Sequence, residues 1–312
     1  MGSSADAPAR PQRTPGAPFV LAVASGKGGT GKTLVATNLA VRAADAGRDV
    51  VLVDCDADAP NDHLFLPRAH ECVEPVQAQV AEVDRITCTA CGACRDACAY
   101  GAVRVLGRAA LVFEELCHGC ELCVRVCPSG AVTMVGRRVG TVASGEAANG
   151  VHVVSGVLDI GQVKAPEVIR RAVQVGLGYG PELAILDAPP GVACPVVAAL
   201  HDADALLLVT EPTPFGVHDL ELALQLGSEL GIPAAIVVNK AGPDVSVVED
   251  LARAHGVPVL AVIPFDRRMA EVYADGRLTV REIAGSAVWL DAVLEWAGQV
   301  AADRVRAGEA PA

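Results

Sequence analysis

Gly26-Lys27-Gly28-Gly29-Thr30-Gly31-Lys32-Thr33 lies between an apolar run, Phe19 to Ala24, and a helical pattern that begins near Lys32. Strand, glycine loop and helix in that order are the setting in which G-x-x-x-x-G-K-[ST] works as a phosphate cradle. Glycines let successive backbone N–H groups turn inward, and the helix N-terminus adds partial positive charge. Lys32 is expected to reach the β- and γ-phosphates of a nucleotide, and the Thr33 hydroxyl to ligate Mg²⁺. The bland alternative is a Gly-rich turn that caps a helix; the full match and its flanks disfavour it. Lys27 is an extra lysine that an ordinary phosphate loop does not require.

Downstream of the loop, Leu34 to Ala46 reads as a helix stopped by Gly47. Asp49 to Val53 is then a short aliphatic strand ending in Asp54-Cys55-Asp56-Ala57-Asp58. In such a βαβ unit, ligands sit at the carboxyl ends of the strands. Asp54 and Asp56 are therefore expected to hold Mg²⁺ waters or orient an attacking water, against the alternative of a solvated turn.

Beyond residue 136 the same grammar continues. Val151 to Ser155 reads as a strand and Pro166 to Val175 as a helix with proline in its first turn. Leu183 to Leu186 ends at Asp187-Ala188-Pro189-Pro190-Gly191, where a phosphate-loop enzyme places a second magnesium-site carboxylate and a switch loop. Further strands are expected at Ala205 to Val209, Ala234 to Val238 and Val257 to Ile263, with helices at Val217 to Leu230 and Val245 to His255. Asn239-Lys240 and Pro264-Phe265-Asp266 stand at strand ends suited to contacting a base and ribose, or to making ordinary turns. The last helix, Ser286 to Val305, is too acidic for a membrane surface and is expected to dock on the core.

Between about Pro75 and Gly136 the pattern changes to a repeat. Cys88-x-x-Cys91-x-x-Cys94-x-x-x-Cys98 is followed by Cys117-x-x-Cys120-x-x-Cys123-x-x-x-Cys127-Pro128, every cysteine displaced by 29 residues. Gly101-Ala102-Val103 and Gly130-Ala131-Val132 share the same offset, which marks an internal duplication. The spacing is that of bacterial ferredoxins, in which the fourth cysteine serves the other cluster. One [4Fe-4S] cluster is thus expected on Cys88, Cys91, Cys94 and Cys127, and a second on Cys117, Cys120, Cys123 and Cys98. Zinc is the rival, but structural zinc sites pair two C-x-x-C knuckles.

The expected fold class is α/β, a mainly parallel sheet of the P-loop NTPase kind, with an inserted α+β bacterial-type ferredoxin domain. The expected divisions are a disordered tail over 1–18, the first part of the ATPase domain over 19–74 and the ferredoxin over 75–136. The second ATPase part covers 137–305, and a short tail 306–312. Composition agrees: 52% of the 312 residues are hydrophobic but only 3% aromatic, so the core is aliphatic. A net charge of −12 argues against a nucleic-acid surface and a cationic membrane anchor. No secretory h-region precedes Phe19, and eight of the eleven cysteines have metal-ligand spacing, so a reducing cytoplasm is the expected compartment.

The loop with its second lysine resembles the deviant Walker A form of the MinD/ParA/Mrp and nitrogenase iron-protein class. From Phe19 to about Val300 the chain resembles MinD-superfamily ATPases that contain an inserted ferredoxin domain. The matching residues are the loop, Asp54 to Asn61, both cysteine sets, Asp187 to Pro195, Thr210-Glu211-Pro212-Thr213 and Gly216-Val217-His218-Asp219. The resemblance implies a nucleotide-dependent homodimer, or a heterodimer with a paralogue. Across it Lys27 reaches the partner's phosphates, while Asp56 orients the hydrolytic water and Asp187 is the Walker B residue. Implied cofactors are ATP, Mg²⁺ and two [4Fe-4S] clusters, with ATP coupled to electron transfer toward an unidentified redox partner. A cluster carrier of the Mrp type and a redox-sensing regulatory ATPase are the alternatives. Cys194 stands where the nitrogenase iron protein has a bridging-cluster ligand, but the second cysteine that such a cluster needs is missing between Cys127 and Cys194. A switch-region thiol is the simpler reading.

Overall fold

A computed structural model describes residues 17–308, with side chains to 306. The expected tails therefore lie outside the described residues, save for residues 17, 18 and 306–308. The chain divides into two compact units. The larger takes the residues up to Val73, Val142–Val157 and those from Ile169 onward; the smaller takes Glu74–Thr141 and Leu158–Val168.

Eleven strands are described, in chain order. They are β1 (Phe19–Ala24), β2 (Val50–Asp54), β3 (Arg68–Val83), β4 (Val103–Leu106), β5 (Ala109–Val112), β6 (Val132–Ala147), β7 (His152–Leu158), β8 (Leu183–Asp187), β9 (Ala205–Thr210), β10 (Ala234–Ala241) and β11 (Val259–Pro264). Nine form one sheet in the order β11-β10-β9-β1-β8-β2-β7-β6-β3. From β11 to β7 each neighbouring pair is parallel. Helices cover such a sheet on both faces, which explains why β2, β8 and β9 are buried at every residue and read as unbroken aliphatic runs. Leu21, Leu52, Ile185 and Leu207 are fully buried, each contributing about 1.5–3 kcal/mol by leaving water.

β1 is central, with β8 on one side and β9 on the other. The chain order reverses there, so the loop after β1 opens at a topological switch point. Register does the rest: Asp54 of β2 is paired with Asp187 of β8, which puts both carboxylates at the same strand level.

Most elements fall within a few residues of expectation, and the departures have local causes. The first helix begins at Lys32, where the helical pattern was expected to start, because Gly31 at φ 99° turns the chain there. β10 was expected to stop at Val238 but runs to Ala241, taking Asn239 and Lys240 onto the strand at a register shift against β11. Short helices at Asp62–Phe65, Arg267–Ala274 and Thr279–Glu282 have no counterpart in the sequence reading.

In the smaller unit the duplication extends to backbone conformation. Ala90 and Gly119 share a positive φ of 56° and 66°. Gly92 and Glu121 follow at 84° and 63°, and Gly101 and Gly130 at 63° and 67°. Each pair keeps the 29-residue offset, and in the first two the residue types differ, so Ala90 and Glu121 accept a conformation that costs an L-residue roughly 1–2 kcal/mol. The helices Ala93–Ala97 and Leu122–Arg125 start on the same offset. Val80, Ala81, Ala102, Val103, Ala110 and Val132 form a small core with Cys94 and Cys117. The sequence boundary at Pro75 falls inside β3, which continues unbroken. Leu158–Val168 also belongs to this unit, and there the buried Lys164 ammonium donates to the Cys117 carbonyl.

Candidate functional site

The glycine loop is tight at its ends and open in its middle. A Cβ on Gly26 would lie 2.1 Å from the Asp219 carbonyl oxygen, and one on Gly31 would lie 2.2 Å from Asn239 Nδ2. Gly28 and Gly29 have nothing within 4 Å of that position, which leaves the space a phosphate chain needs. Gly31 O accepts from Val35 N at 3.0 Å, so the helix ladder starts directly on the loop.

Asn239 braces the loop from β10. Its Nδ2 donates to Thr30 O at 2.7 Å and its Oδ1 accepts from Lys240 N at 2.9 Å, with the residue buried. Asn239, expected at the base, thus also supports the loop, and it lies on the strand because β10 runs on past Val238. Asp266 caps the helix Arg267–Ala274 by accepting from Arg268 N at 2.8 Å, and Pro264 is the exposed last residue of β11.

Lys32 is buried and lies near Asp187 and Asp56. Burial lowers its pKa, while those two carboxylates raise it. Thr33 Oγ1 donates to Asp187 Oδ2 at 2.6 Å, and Tyr273, stacked on Phe65 at 4.8 Å, also hydrogen-bonds the Thr33 side chain. Asp54 is fully buried: its Oδ1 accepts from Asp56 N at 3.1 Å, and its Oδ2 from Asn61 N at 2.6 Å and Asp62 N at 3.0 Å. It thus ties down the segment that carries Asp56. That half-buried carboxyl is shifted upward by burial against the lowering effect of Lys32.

Around the loop, Asp187 Oδ1, both oxygens of Asp62 and Thr30 Oγ1 are buried without a hydrogen-bond partner among the described residues. Mg²⁺ beside a phosphate chain takes only one or two carboxylates and keeps several waters. Thr33 and Asp187 fit that demand, with Asp54 behind them as an anchor of the backbone. Asp62 and Tyr273 were not singled out from the sequence. Asp62 stood in an aspartate-rich turn and Tyr273 had no motif around it.

The carboxyl group of Asp187 is raised to about 7 by burial and the nearby Asp54 charge, and Asp54 to about 6, chiefly by burial. Burial and its acidic neighbours raise Asp62 as well. Folded carboxyls held above their unfolded values bind protons that the unfolded chain releases. Stability of the nucleotide-free protein is therefore expected to fall as pH rises from about 4 to about 7, and Mg²⁺ to offset the loss. Asp62→Asn, which removes a buried unpaired charge, is expected to gain roughly 1–3 kcal/mol at pH about 8 and less at pH about 5. Urea unfolding at the two pH values measures it; equal gains at both would contradict the assignment.

Each cysteine set lines one cavity in the smaller unit. Cys88, Cys91, Cys94 and Cys127 surround a space of about 290 Å³ with Ala110 and Val132. Cys98, Cys117, Cys120 and Cys123 surround one of about 360 Å³ with Tyr100, His118 and Met134. The fourth cysteine is exchanged between repeats in both. Ala81 N donates to Cys117 Sγ at 3.5 Å. Burial works to raise the Cys127 thiol, but hydrogen bonds from the Ser129 hydroxyl and the backbone of Ala131, Ser129 and Val132 lower it overall. Among the described residues no group of three or more His, Cys, Asp or Glu is gathered tightly enough for a metal ion, so neither set is a closed ion site as it stands. Cys55 is buried, and Cys72 and Cys194 are exposed.

A parallel sheet with a phosphate loop at its switch point, a magnesium-side threonine and facing strand-end aspartates defines a P-loop nucleotide-binding protein. Residues 21–280 match the CobQ/CobB/MinD/ParA nucleotide binding domain, and the chain belongs to that family. An uncharacterised protein of Methanocaldococcus jannaschii is 31% identical over 87% of this chain and 98% of its own length. An uncharacterised ATP-binding protein of the same organism is 24% identical over 83% of this chain and 78% of its own. The fold is shared with the cell division ATPase MinD of Pyrococcus furiosus, at a TM-score of 0.55 and 22% identity over 89% of this chain and 97% of that one. No described helix is long and apolar enough to cross a membrane.

Proposed function

We propose that this protein is a MinD-type ATPase whose nucleotide-driven dimer switch governs electron transfer through two [4Fe-4S] clusters. The observation that carries the reading is the sorting of eight cysteines into two four-cysteine cavities within a chain of a nucleotide-binding family. Cys88, Cys91, Cys94 and Cys127 would hold one cluster and Cys117, Cys120, Cys123 and Cys98 the other. Such clusters supply one-electron redox chemistry tuned by hydrogen bonds and exposure. Hydrogen bonds from the Ser129 hydroxyl and nearby backbone N–H groups favour the thiolate form of Cys127 that ligation requires.

In the larger unit Lys32 draws charge from the β- and γ-phosphates, and Thr33 and Asp187 hold Mg²⁺. Asp56 orients the attacking water, its backbone fixed by Asp54. Lys27 acts on the phosphates of a second copy, as an arginine finger supplied in trans does. Gly191 N donates to Ser25 O at 3.0 Å, so the segment after Asp187 is fastened to the loop's entry and can report on what the loop holds. β3 and β6 each cross the boundary between the two units in sequence.

Anaerobic purification with iron and acid-labile sulfide analysis tests the cluster assignment. About eight of each per chain is expected from two [4Fe-4S] clusters. Stoichiometric zinc, or no acid-labile sulfide after reconstitution, would contradict it.

A further inference from the structure

Glu211 directly follows β9, and its position is set by the helix after it. Thr213 N donates to Glu211 O at 2.8 Å, Thr213 caps the helix Pro214–Glu229, and a Cβ on Gly216 would lie 2.3 Å from Glu211 O. The carboxylate, 16% exposed, divides its oxygens between two lysines. Oε2 accepts from Lys27 Nζ at 3.2 Å, and Oε1 accepts from Lys240 Nζ at 2.7 Å. Lys240 also donates to Gly29 O at 2.6 Å and holds a positive φ of 52°, an uncommon backbone conformation outside glycine. Burial works against ionisation of Glu211, yet its hydrogen bonds from the two lysines hold its carboxyl below the usual range.

We propose that Glu211 is a latch on Lys27, holding that lysine against its own subunit until a nucleotide phosphate on a second copy of this chain competes for it. The inference rests on the reading that Lys27 acts across a dimer. One ammonium cannot pair with Glu211 and also reach a partner's phosphates, so dimerisation loses what the pair gains. Apparent affinity falls with the fraction of chains whose lysine is free. Charge-assisted contacts are among the stronger hydrogen bonds, and this one is mostly shielded from water at its acceptor. Lys240 fits as the modulator, because it draws on the same carboxylate and thereby weakens its hold on Lys27.

Sedimentation velocity on the full-length, cluster-loaded protein with Mg²⁺ and a non-hydrolysable ATP analogue tests this. Glu211→Gln keeps the shape of the side chain and removes its charge. It is expected to lower the dimer dissociation constant by about threefold or more, and Glu211→Ala to act in the same direction. The gain should vanish when either is combined with Lys27→Ala. A gain confined to a discrete dimer, and absent without the nucleotide analogue, separates this outcome from aggregation of a poorly folded chain. If Lys27→Ala dimerises as well as the unsubstituted chain, the role of Lys27 fails and the latch with it. If dimerisation needs Lys27 but neither Glu211 variant strengthens it, the latch alone is overturned.

Discussion

Lys27→Ala is expected to abolish nucleotide-driven self-association and to lower ATP hydrolysis by on the order of 10³-fold, while leaving nucleotide binding to the single chain nearly intact. The expectation follows from the division of labour in the loop. Lys32 is buried on the cradle side with Asp187 and Asp56, and the Lys27 ammonium turns outward to Glu211 at the lip. A cation supplied from a second copy contributes where charge develops on the departing phosphoryl group, and such groups are worth 10³–10⁵ in rate. Lys32→Ala should instead weaken binding and hydrolysis together. Fluorescent-nucleotide titration beside a phosphate-release assay separates the two. Equal loss of binding in both variants would place Lys27 in the cradle of its own subunit.

Cys127→Ala is expected to remove one cluster, about half of the iron, and to leave the other intact. The crossed cavities decide which residues it joins. Cys127 lines the same space as Cys88, Cys91 and Cys94, although it follows Cys117, Cys120 and Cys123 in the chain. Combining Cys127→Ala with Cys88→Ala should therefore cost no more iron than either change alone. Combining it with Cys117→Ala should empty the protein. An uncrossed arrangement gives the reverse pattern. Iron analysis with electron paramagnetic resonance of the dithionite-reduced protein reads the outcome, since a two-cluster protein loses its intercluster coupling when one is gone.

Much of this architecture was legible because the rules that produce it are local. β1, β2, β8 and β9 are strands covered on both faces, so continuous aliphatic runs ending in Asp54, Asp187 and Thr210 carry their own signal. The glycine loop is written in a full G-x-x-x-x-G-K-[ST] match between a strand and a helix, a local signal readable from the residues alone. The cysteine offset of 29 residues appears again as shared left-handed backbone at Ala90 and Gly119, and at Gly92 and Glu121. Residue types at those positions had concealed it.

What was not legible depends on partners distant in sequence. Glu211 stood in a stretch matched to the family but with no role of its own, and only the fold brings Lys27 and Lys240, 184 and 29 positions away, to its two oxygens. Asn239 read as a base contact because a strand end beside a phosphate loop suggests one. The bond from its amide to Thr30 O is what no local pattern announces, since it spans 209 positions. Leu158–Val168 gave no sign of joining the smaller unit, since it follows β7 and leads into a helix as any αβ connection would. The contact of Lys164 with the Cys117 carbonyl is again long-range.

The central claim is that nucleotide state governs electron flow, and one measurement addresses it directly. The anaerobically purified, dithionite-reduced protein, freed of excess reductant, is mixed in a stopped-flow instrument with a viologen acceptor, with and without Mg-ATP, and cluster bleaching is followed in the visible range. A rate that changes several-fold with ATP in the unsubstituted chain, and not in Lys32→Ala, is the expected result. Identical bleaching rates with and without ATP, in a protein shown to hydrolyse it, would contradict the account.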